Sequence, residues 1–173
     1  MSDRITIIGK IGFNPEDVTK KHNLQSSWKR IAMVYFDGEL TNYYSWFINR
    51  RFNLSLNQPL RGTHISFIND SIRDLSNNGT KPLEDINKTW SKIKDKWDGK
   101  NVPITILLDP KTNGKTWWFN LSEETIAFLT DIRSEVGLGK PYFNFHMSIG
   151  HANDKWLPHS MYIHTLMKNG FIV

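Results

Sequence analysis

Two histidines in this chain are each followed, two residues later, by a serine. The segments read His64-Ile65-Ser66-Phe67 and His146-Met147-Ser148-Ile149, so both have the order His, apolar, Ser, apolar. Displacement at phosphorus needs a base for the attacking oxygen and an acid for the leaving oxygen, and imidazole can act as either near neutral pH. Serine hydroxyls can donate hydrogen bonds to phosphate oxygens as negative charge builds on them. The two segments therefore predict cleavage of a phosphodiester by a histidine pair, a reaction that requires no metal.

The match between the two segments is closer than chance would give. Six histidines, with 25 serines and threonines among 173 residues, would produce about one His-x-Ser or His-x-Thr by accident. Both histidines also lie five residues after a proline, Pro59 and Pro141, so 59–68 and 141–150 look like two copies of a degenerate repeat. A lone histidine on a strand is more often structural, and it is the matched pair that favours catalysis.

Both copies lie in strand-like runs, in which successive side chains point to opposite faces of a sheet. The histidine and serine of each copy are therefore expected on one face, and the apolar residues between them on the other, core face. The residues expected to share the histidine face are Gly62 and Ser66 in the first copy, and Asn144, Ser148 and Gly150 in the second.

The hydrophobic periodicity predicts strands and helices in alternation. Strands are expected at 30–36, 63–68 and 142–152, and a hairpin at 102–108 and 115–121 around the Asn113-Gly114 turn. Helices are expected from Thr41 or Asn42 as N-cap to about Phe52, across 83–97 after Pro82, from Ser122 as N-cap to Gly137 or Gly139, and briefly near 160–168. This order indicates an α+β fold with antiparallel pairing.

Length and composition limit the classes of protein to which the chain can belong. Its 173 residues suit a single domain, 1–173, and 39% hydrophobic and 13% aromatic residues are typical of a globular protein. Without cysteine the chain has no disulfide, thiolate nucleophile or cysteine-based zinc site, and its start lacks the pattern of a secretory signal, so a cytoplasmic location is expected. No apolar run is long enough to span a membrane, and the net charge of +5 mildly favours an anionic ligand.

The two motifs resemble those of the 2H phosphoesterase superfamily, which is named for its two His-x-Ser/Thr-x motifs. The resemblance covers residues 30 to 152, and the separation of 82 residues between the histidines fits it. It implies two pseudo-symmetric lobes of antiparallel sheet with flanking helices around a central cleft, the motifs lying on the central strands. It also implies that His64, Ser66, His146 and Ser148 are catalytic, without metal or cofactor, on 2′,3′-cyclic phosphates, 2′-5′ linkages or related nucleotide phosphodiesters.

Within that superfamily the chain resembles the phage anti-CBASS phosphodiesterases, which degrade the cyclic di- and trinucleotides that bacteria use as antiviral signals. The similar features are the aromatic segment YYSWFINRRFNL leading into the Pro-x4-His-x-Ser strand, the size and the absence of cysteine. The resemblance implies that one histidine activates the ribose 2′-OH beside a 3′-5′ bond while the other protonates the departing 5′ oxygen. The protein would then act in the host-cell cytoplasm, in viral evasion of an antiviral defence.

Five further residues are candidates for substrate binding. Tyr35, Trp118 and Tyr142 could stack on bases, which is worth about 1 to 3 kcal/mol per base, although strand aromatics more often fill a core. Arg61 precedes the first motif and could reach a phosphate, and His151 lies just beyond the second motif. Solvated surface groups are the alternative interpretation of Arg61 and His151.

Two other functions stay open. The chain could be an RNA-end 2′,3′-cyclic or 2′-5′ phosphodiesterase, which substrate choice would separate from cleavage of cyclic signals. It could also be a non-catalytic RNA- or nucleotide-binding module, which leaves the repeated His-x-Ser without a role. The expected partner is a cyclic nucleotide substrate, with no stable nucleic-acid partner and no membrane, and self-association is left open. No metal site is expected, since His159 and His164 have helical spacing but no accompanying acidic cluster.

Overall fold

The computed structural model describes residues 3–14, 30–59, 61–69 and 76–152, which form a mixed α+β fold. Within these ranges the strands are β1 (Arg4–Phe13), β2 (Ile31–Tyr35), β3 (Leu56–Asn57), β4 (His64–Asn69), β5 (Asn101–Leu107), β6 (Lys111–Thr112), β7 (Thr116–Asn120) and β8 (His146–Ala152). The helices are α1 (Glu39–Phe52), α2 (Leu83–Trp97) and α3 (Glu123–Val136). The predicted α+β class is confirmed. The helix predicted near 160–168, with His159 and His164, lies outside the described residues.

The strands form one antiparallel sheet in the order β5-β1-β2-β4-β8-β7-β6, and β3 pairs with β8 beside β4. The sheet curls, because an isolated bridge joins Ile106 of β5 to Leu121, just after β7. The Ser122 amide also donates to the Thr105 carbonyl at 3.0 Å, which holds the two ends of the sheet together. This order leaves β4 and β8 as neighbours near the middle of the sheet.

One face of the sheet is buried under the helices. Helix α1 lies against β8, α3 against β4 and β5, and α2 against α3 and β1. Phe52 of α1 stacks on Trp117 with ring centroids 5.4 Å apart, and Tyr44 meets Phe119 edge-on at 4.8 Å. None of the helices in the described ranges combines the length and apolarity that a membrane span needs.

The helix predicted over 83–97 is confirmed as α2 at both ends. Its apolar residues recur at intervals of three and four, and the central three, Ile86, Trp90 and Ile93, are buried. Leu83, the first residue of the stripe, is 48% exposed because it lies at the end of the helix beyond the sheet contact. The amphipathic pattern thus positions α2 against β1 and α3.

Helix α3 begins at the predicted N-cap. The Ser122 hydroxyl accepts a hydrogen bond from the Thr125 amide at 3.2 Å. The start of this helix also lowers the pKa of the Glu124 carboxyl. The larger cause is a hydrogen bond from the backbone N–H of Glu124 itself, and the next is a hydrogen bond from the Ser122 hydroxyl. Gly137 ends the helix in the left-handed conformation, with φ 102°, so the first of the two predicted ends is the right one.

Helix α1 begins earlier than predicted, at Glu39, and its N-cap is Gly38 rather than Thr41 or Asn42. The reason is local, since the Asp37 carboxylate accepts a hydrogen bond from the Glu39 amide at 3.1 Å. Thr41 is buried inside the first turn, and its hydroxyl bonds the Thr63 hydroxyl at 2.6 Å. This contact ties the start of α1 to the residue that precedes His64.

The predicted hairpin between 102–108 and 115–121 is wrong. Strand β5 pairs with β1, and β7 pairs with β8 on one side and with β6 on the other. The Asn113-Gly114 turn does close a hairpin, but its first arm is the two-residue β6. Strand β1 was not predicted, because Lys10 and two glycines interrupt the apolar alternation of RITIIGKIGF.

A buried arginine donates hydrogen bonds beside a β-bulge in β4. Ala32 pairs with Ile68 and Met33 with Ser66, so Phe67 is an extra residue opposite β2. Arg133 of α3, fully buried, donates to the Phe67 carbonyl at 2.8 Å and to the Gly139 carbonyl at 3.0 Å. The guanidinium thus provides a hydrogen-bond donor for the carbonyl of the bulge residue and holds α3 against β4.

Replacing Arg133 by methionine keeps much of the buried volume but removes both hydrogen bonds. Arg133→Met is expected to lower the free energy of unfolding by about 2 to 4 kcal/mol, because two backbone carbonyls lose their donor. Urea denaturation followed by circular dichroism measures this loss. The control is Lys92→Ala, at an exposed position of α2, expected to change stability by no more than about 0.5 kcal/mol. Equal losses in the two variants would contradict the role given to Arg133.

Candidate active site

The two motif strands are neighbours, and Ile65 of β4 pairs with Met147 of β8. Extending that antiparallel register by one residue each way places His64 opposite Ser148, and Ser66 opposite His146. Directly opposed residues share a face of the sheet, so these four side chains form one group, which we call the His-Ser quartet. Ile65 and Met147 are fully buried on the other face, whereas the quartet is part-exposed. The structure thus brings all four predicted catalytic residues together.

The two histidines occupy diagonal corners of the quartet. Diagonal neighbours across an antiparallel pair lie roughly 7 to 8 Å apart, somewhat less between β-carbons. Rings that extend from such positions can approach one group from two sides. A tetrahedral phosphate has the size to lie between them, with each serine hydroxyl at a remaining corner.

Both imidazoles are held by the same kind of hydrogen bond. The Nδ1 atom of His64 lies 2.9 Å from the Gly62 carbonyl, and the Nδ1 atom of His146 lies 2.8 Å from the Asn144 carbonyl. A carbonyl oxygen only accepts, so Nδ1 carries the hydrogen in each ring. Each Nε2 is therefore the ring nitrogen that carries no hydrogen in the neutral form, and the two rings are matched in tautomer.

The backbone before each histidine makes this bond available. Gly62 has φ 69°, a left-handed conformation that suits glycine, and its amide donates to the Pro59 carbonyl at 3.0 Å in a tight turn. In the second copy the strand begins at His146 itself, so the prediction of a strand from Tyr142 is wrong. Residues 142–145 approach the sheet outside the ladder, which leaves the Asn144 carbonyl to accept from the ring.

The two motif strands also have a bulge at the same place in the pairing with their outer neighbours. Three residues after His64 the extra residue Phe67 interrupts the pairing with β2, and three residues after His146 Ile149 does the same opposite β7. Both strands consequently begin with the same order of burial: part-exposed, buried, part-exposed, buried, buried, part-exposed. The sequence of elements is also shared, since β2–α1–β4 and β7–α3–β8 are both strand, helix, strand, with β3 inserted in the first.

The second bulge changes which residues share the histidine face. Gly150 was expected there, but it is buried and pairs with Trp117. A β-carbon on Gly150 would lie 3.0 Å from the Asn57 carbonyl oxygen, so only glycine lets β3 approach this closely. His151 pairs with Thr116 and returns to the face of Ser148.

Two predicted aromatic residues flank the quartet, one on each side. Tyr35 pairs with His64, and their ring centroids are 6.4 Å apart. Trp118 pairs with Ser148, and its ring lies 6.4 Å from that of His146 in an edge-on arrangement. A base or sugar attached to a phosphate in the quartet would meet one of these rings on either side.

The other three predicted binding residues are placed differently. Arg61 is 9% exposed, and its Nη1 atom lies 3.4 Å from the Met33 sulfur. Because Met33 pairs with Ser66, this places Arg61 next to Ser66. Tyr142 is 40% exposed, and its hydroxyl accepts from the Asn69 amide at 3.4 Å, three residues beyond Ser66. His151 lies three residues beyond Ser148. Arg61 thus lies beside the quartet, and Tyr142 and His151 lie at its opposite ends.

One residue of the site was missed in the sequence. Asn120 pairs with His146, and its side-chain oxygen accepts from the Trp118 indole at 3.1 Å. This bond orients the indole beside the His146 ring. The signal was the alternation of TWWFN, which places Trp118 and Asn120 on one face.

Comparison with protein-family models, curated proteins and solved structures found no match to this chain. A functional interpretation therefore depends on the His-Ser quartet and the residues around it.

The quartet lies on the face of the sheet opposite the helices and not in the pocket near the turn. That pocket, of about 150 Å³, adjoins the turn before β4 and is lined by Gly62, Thr63, Asn42 and Gln58 among others, but by no residue of the quartet. Thr63 precedes His64 and so points to the helix side. In the described ranges no three His, Asp or Glu side chains come together as they would around a metal ion.

The shared Nδ1 contacts make a prediction about the imidazole tautomers. When neutral, both His64 and His146 are expected to carry hydrogen on Nδ1, because a carbonyl accepts from that atom in each ring. Long-range proton–nitrogen correlation spectra of protein labelled with ¹⁵N-histidine identify the tautomer, and His64→Gln and His146→Gln assign the signals. An Nε2–H tautomer in either ring would contradict the geometry described here.

Proposed function

We propose that this protein is a phosphodiesterase that uses His64 and His146 as a base and an acid on opposite sides of one phosphate. The observation that carries the proposal is the diagonal placement of two imidazoles whose Nδ1 atoms are both occupied by carbonyls. One such contact would be enough to orient a structural histidine, whereas two rings matched in tautomer at diagonal corners of one face suit an acid–base pair.

The proposed reaction is an in-line displacement within a nucleotide chain. One Nε2 takes the proton from a ribose 2′-OH, the 2′ oxygen forms a bond to phosphorus, and the bond from phosphorus to the 5′ oxygen breaks. The other histidine, protonated on Nε2, gives its proton to that leaving oxygen. The product is an opened strand that ends in a 2′,3′-cyclic phosphate, and no metal or cofactor takes part.

The residues around the rings suit these steps. The Nδ1 hydrogen bonds persist when a ring gains its second proton, since Nδ1 donates in both states. The Ser66 and Ser148 hydroxyls can donate to the non-bridging oxygens as they gain charge. Arg61 is a buried cation beside Ser66, where it would attract the phosphate.

We further propose that β2–α1–β4 and β7–α3–β8 are the cores of two pseudo-symmetric lobes, and that the quartet lies at the bottom of a cleft between them. The equal order of elements and the bulge three residues after each histidine support this arrangement. A symmetric cleft suits a substrate whose chain continues on both sides of the scissile phosphate.

The proposed substrate is a cyclic di- or trinucleotide with 3′-5′ bonds, degraded in the host-cell cytoplasm as a means of viral evasion. Tyr35 and Trp118 on the two sides of the quartet suit a ligand with bases on both sides of one phosphate. The test is a panel of cyclic di- and trinucleotides, 2′-5′ oligomers and 2′,3′-cyclic nucleotides. Preferred cleavage of the 2′,3′-cyclic or 2′-5′ compounds would replace this substrate by the RNA-end alternative.

Removing either histidine is expected to stop turnover while leaving binding. His64→Ala and His146→Ala are each expected to lower kcat by about 10²- to 10⁴-fold, because each loses one proton-transfer partner. The double variant is expected to lose little more, since the two rings act as a unit. Steady-state kinetics and equilibrium binding of the same cyclic trinucleotide measure both properties, with Lys92→Ala as control. Binding without any turnover in the wild type, weakened in both variants, would indicate a non-catalytic binding module instead.

The pH profile is a separate test. A base must be neutral and an acid protonated, so kcat/KM is expected to fall on both sides of a maximum, with limbs between about pH 5 and 8. The same activity is expected in EDTA. A profile with one limb, or activity abolished by chelation and restored by a divalent cation, would contradict the two-histidine mechanism.

A further inference from the structure

The strand pairings around the quartet align two lysines with it. The pairs Lys10–Tyr35 and Tyr35–His64 lie on one side, and Ser148–Trp118 and Trp118–Lys111 lie on the other. Because His64 faces Ser148, these pairs join into one row across six strands. In order the row reads Lys10, Tyr35, His64, Ser148, Trp118, Lys111.

Both lysines are on the same face as the quartet, as opposed residues of an antiparallel pair must be. Burial agrees with the pairing: Gly9 and Ile11 on either side of Lys10 are buried, and so is Thr112 after Lys111. Lys10 itself is exposed, and the Lys111 side chain is 21% exposed. The row thus has a cation at each end, an aromatic ring inside each cation, and two members of the quartet, His64 and Ser148, at the centre.

Each lysine is two strand spacings from the nearer quartet residue of the row, His64 or Ser148, or roughly 10 Å along the sheet. At that distance an ammonium group would meet an anion next to the quartet and not the phosphate inside it. The aromatic ring between them leaves room for one nucleoside. The order of groups therefore matches phosphate, base, phosphate, base, phosphate along a nucleotide chain.

The present contacts of the two lysines leave them able to bind an anion. Lys111 forms an ion pair with Asp109 at 2.5 Å, but Asp109 is 53% exposed and a lysine ammonium has three donors. The Cε atom of Lys10 lies 3.9 Å from where a β-carbon on Gly99 would be, on the β5 side. Because Lys10 is exposed, its ammonium can turn toward Tyr35 when an anion binds there.

We propose that Lys10 and Lys111 are substrate-binding residues that hold the phosphates on either side of the scissile one. This inference rests on the proposed function, and it deepens that function by naming the chemical class of ligand. The site would prefer a nucleotide chain with at least three linked phosphates to a mononucleotide with one. A cyclic dinucleotide, with one phosphate besides the scissile one, would engage one lysine at a time.

The experiment compares Lys10→Ala, Lys111→Ala and the control Lys92→Ala on cyclic triadenylate, cyclic diadenylate and 2′,3′-cyclic AMP. Each of the first two variants is expected to raise KM for cyclic triadenylate by about 3- to 10-fold, and to reduce the slope of log KM against log salt by about 0.7. The kcat of the variants, and the inhibition constant of 2′,3′-cyclic AMP as a product-like competitor, are expected to stay as in the wild type. Asp109→Asn is expected to lower KM for cyclic triadenylate, because Lys111 loses its competing carboxylate.

The outcomes separate this inference from the function on which it rests. If the wild type cleaves nucleotide phosphodiesters while Lys10→Ala and Lys111→Ala keep its KM and salt slope, the lysine assignment is wrong and the two-histidine mechanism stands. If the inhibition constant of 2′,3′-cyclic AMP rises equally, the lysines act on the reacting phosphate, and the flanking role is also overturned. If the wild type cleaves neither cyclic triadenylate nor cyclic diadenylate, the proposed function and the lysine assignment both fail.

Discussion

The pairing of Ile65 with Met147 is the contact on which the rest of the site depends. It sets the register of β4 against β8, and with it the diagonal placement of the two histidines. A slip of one residue in either strand would turn its histidine and serine into the helix-covered core. The burial of Ile65 and Met147 opposes such a slip, because both are fully buried and would have to enter solvent. The hydrophobic core on one face therefore specifies the chemistry on the other.

Two irregularities refine that register. The bulges at Phe67 and Ile149 follow each motif at the same distance, and they return Asn69 and His151 to the face of the histidines. Arg133 supports the first of them from α3, the helix that leads into the second motif strand. Each motif strand is thus covered by a helix from the other half of the chain, since α1 lies on β8 and α3 on β4. The two halves are coupled by packing as well as by strand pairing.

Local patterns were sufficient to predict part of this site, and long-range pairing accounts for what was missed. Alternation along each motif placed His64 with Ser66 and His146 with Ser148, because the strand period of two is a local property. The wrong hairpin and the unpredicted β1 concern which strands pair, and no local pattern decides that. Gly150 was predicted on the wrong face because the second bulge was not predicted. The first bulge had a local signal, since two apolar residues follow Ser66 in succession. The Nδ1 contacts depend on the backbone at Gly62 and Asn144, which residue types alone do not specify.

The central claim is that one phosphate lies between two imidazoles. A crystal structure of the protein with a non-hydrolysable phosphorothioate cyclic trinucleotide tests it most directly. The expected result is a single phosphate between the rings, with the neighbouring 2′-OH within about 2.6 to 3.2 Å of Nε2 of one histidine and the 5′ oxygen within the same distance of Nε2 of the other. A phosphate bound by only one of the two rings, or a ligand held away from β4 and β8, would contradict it.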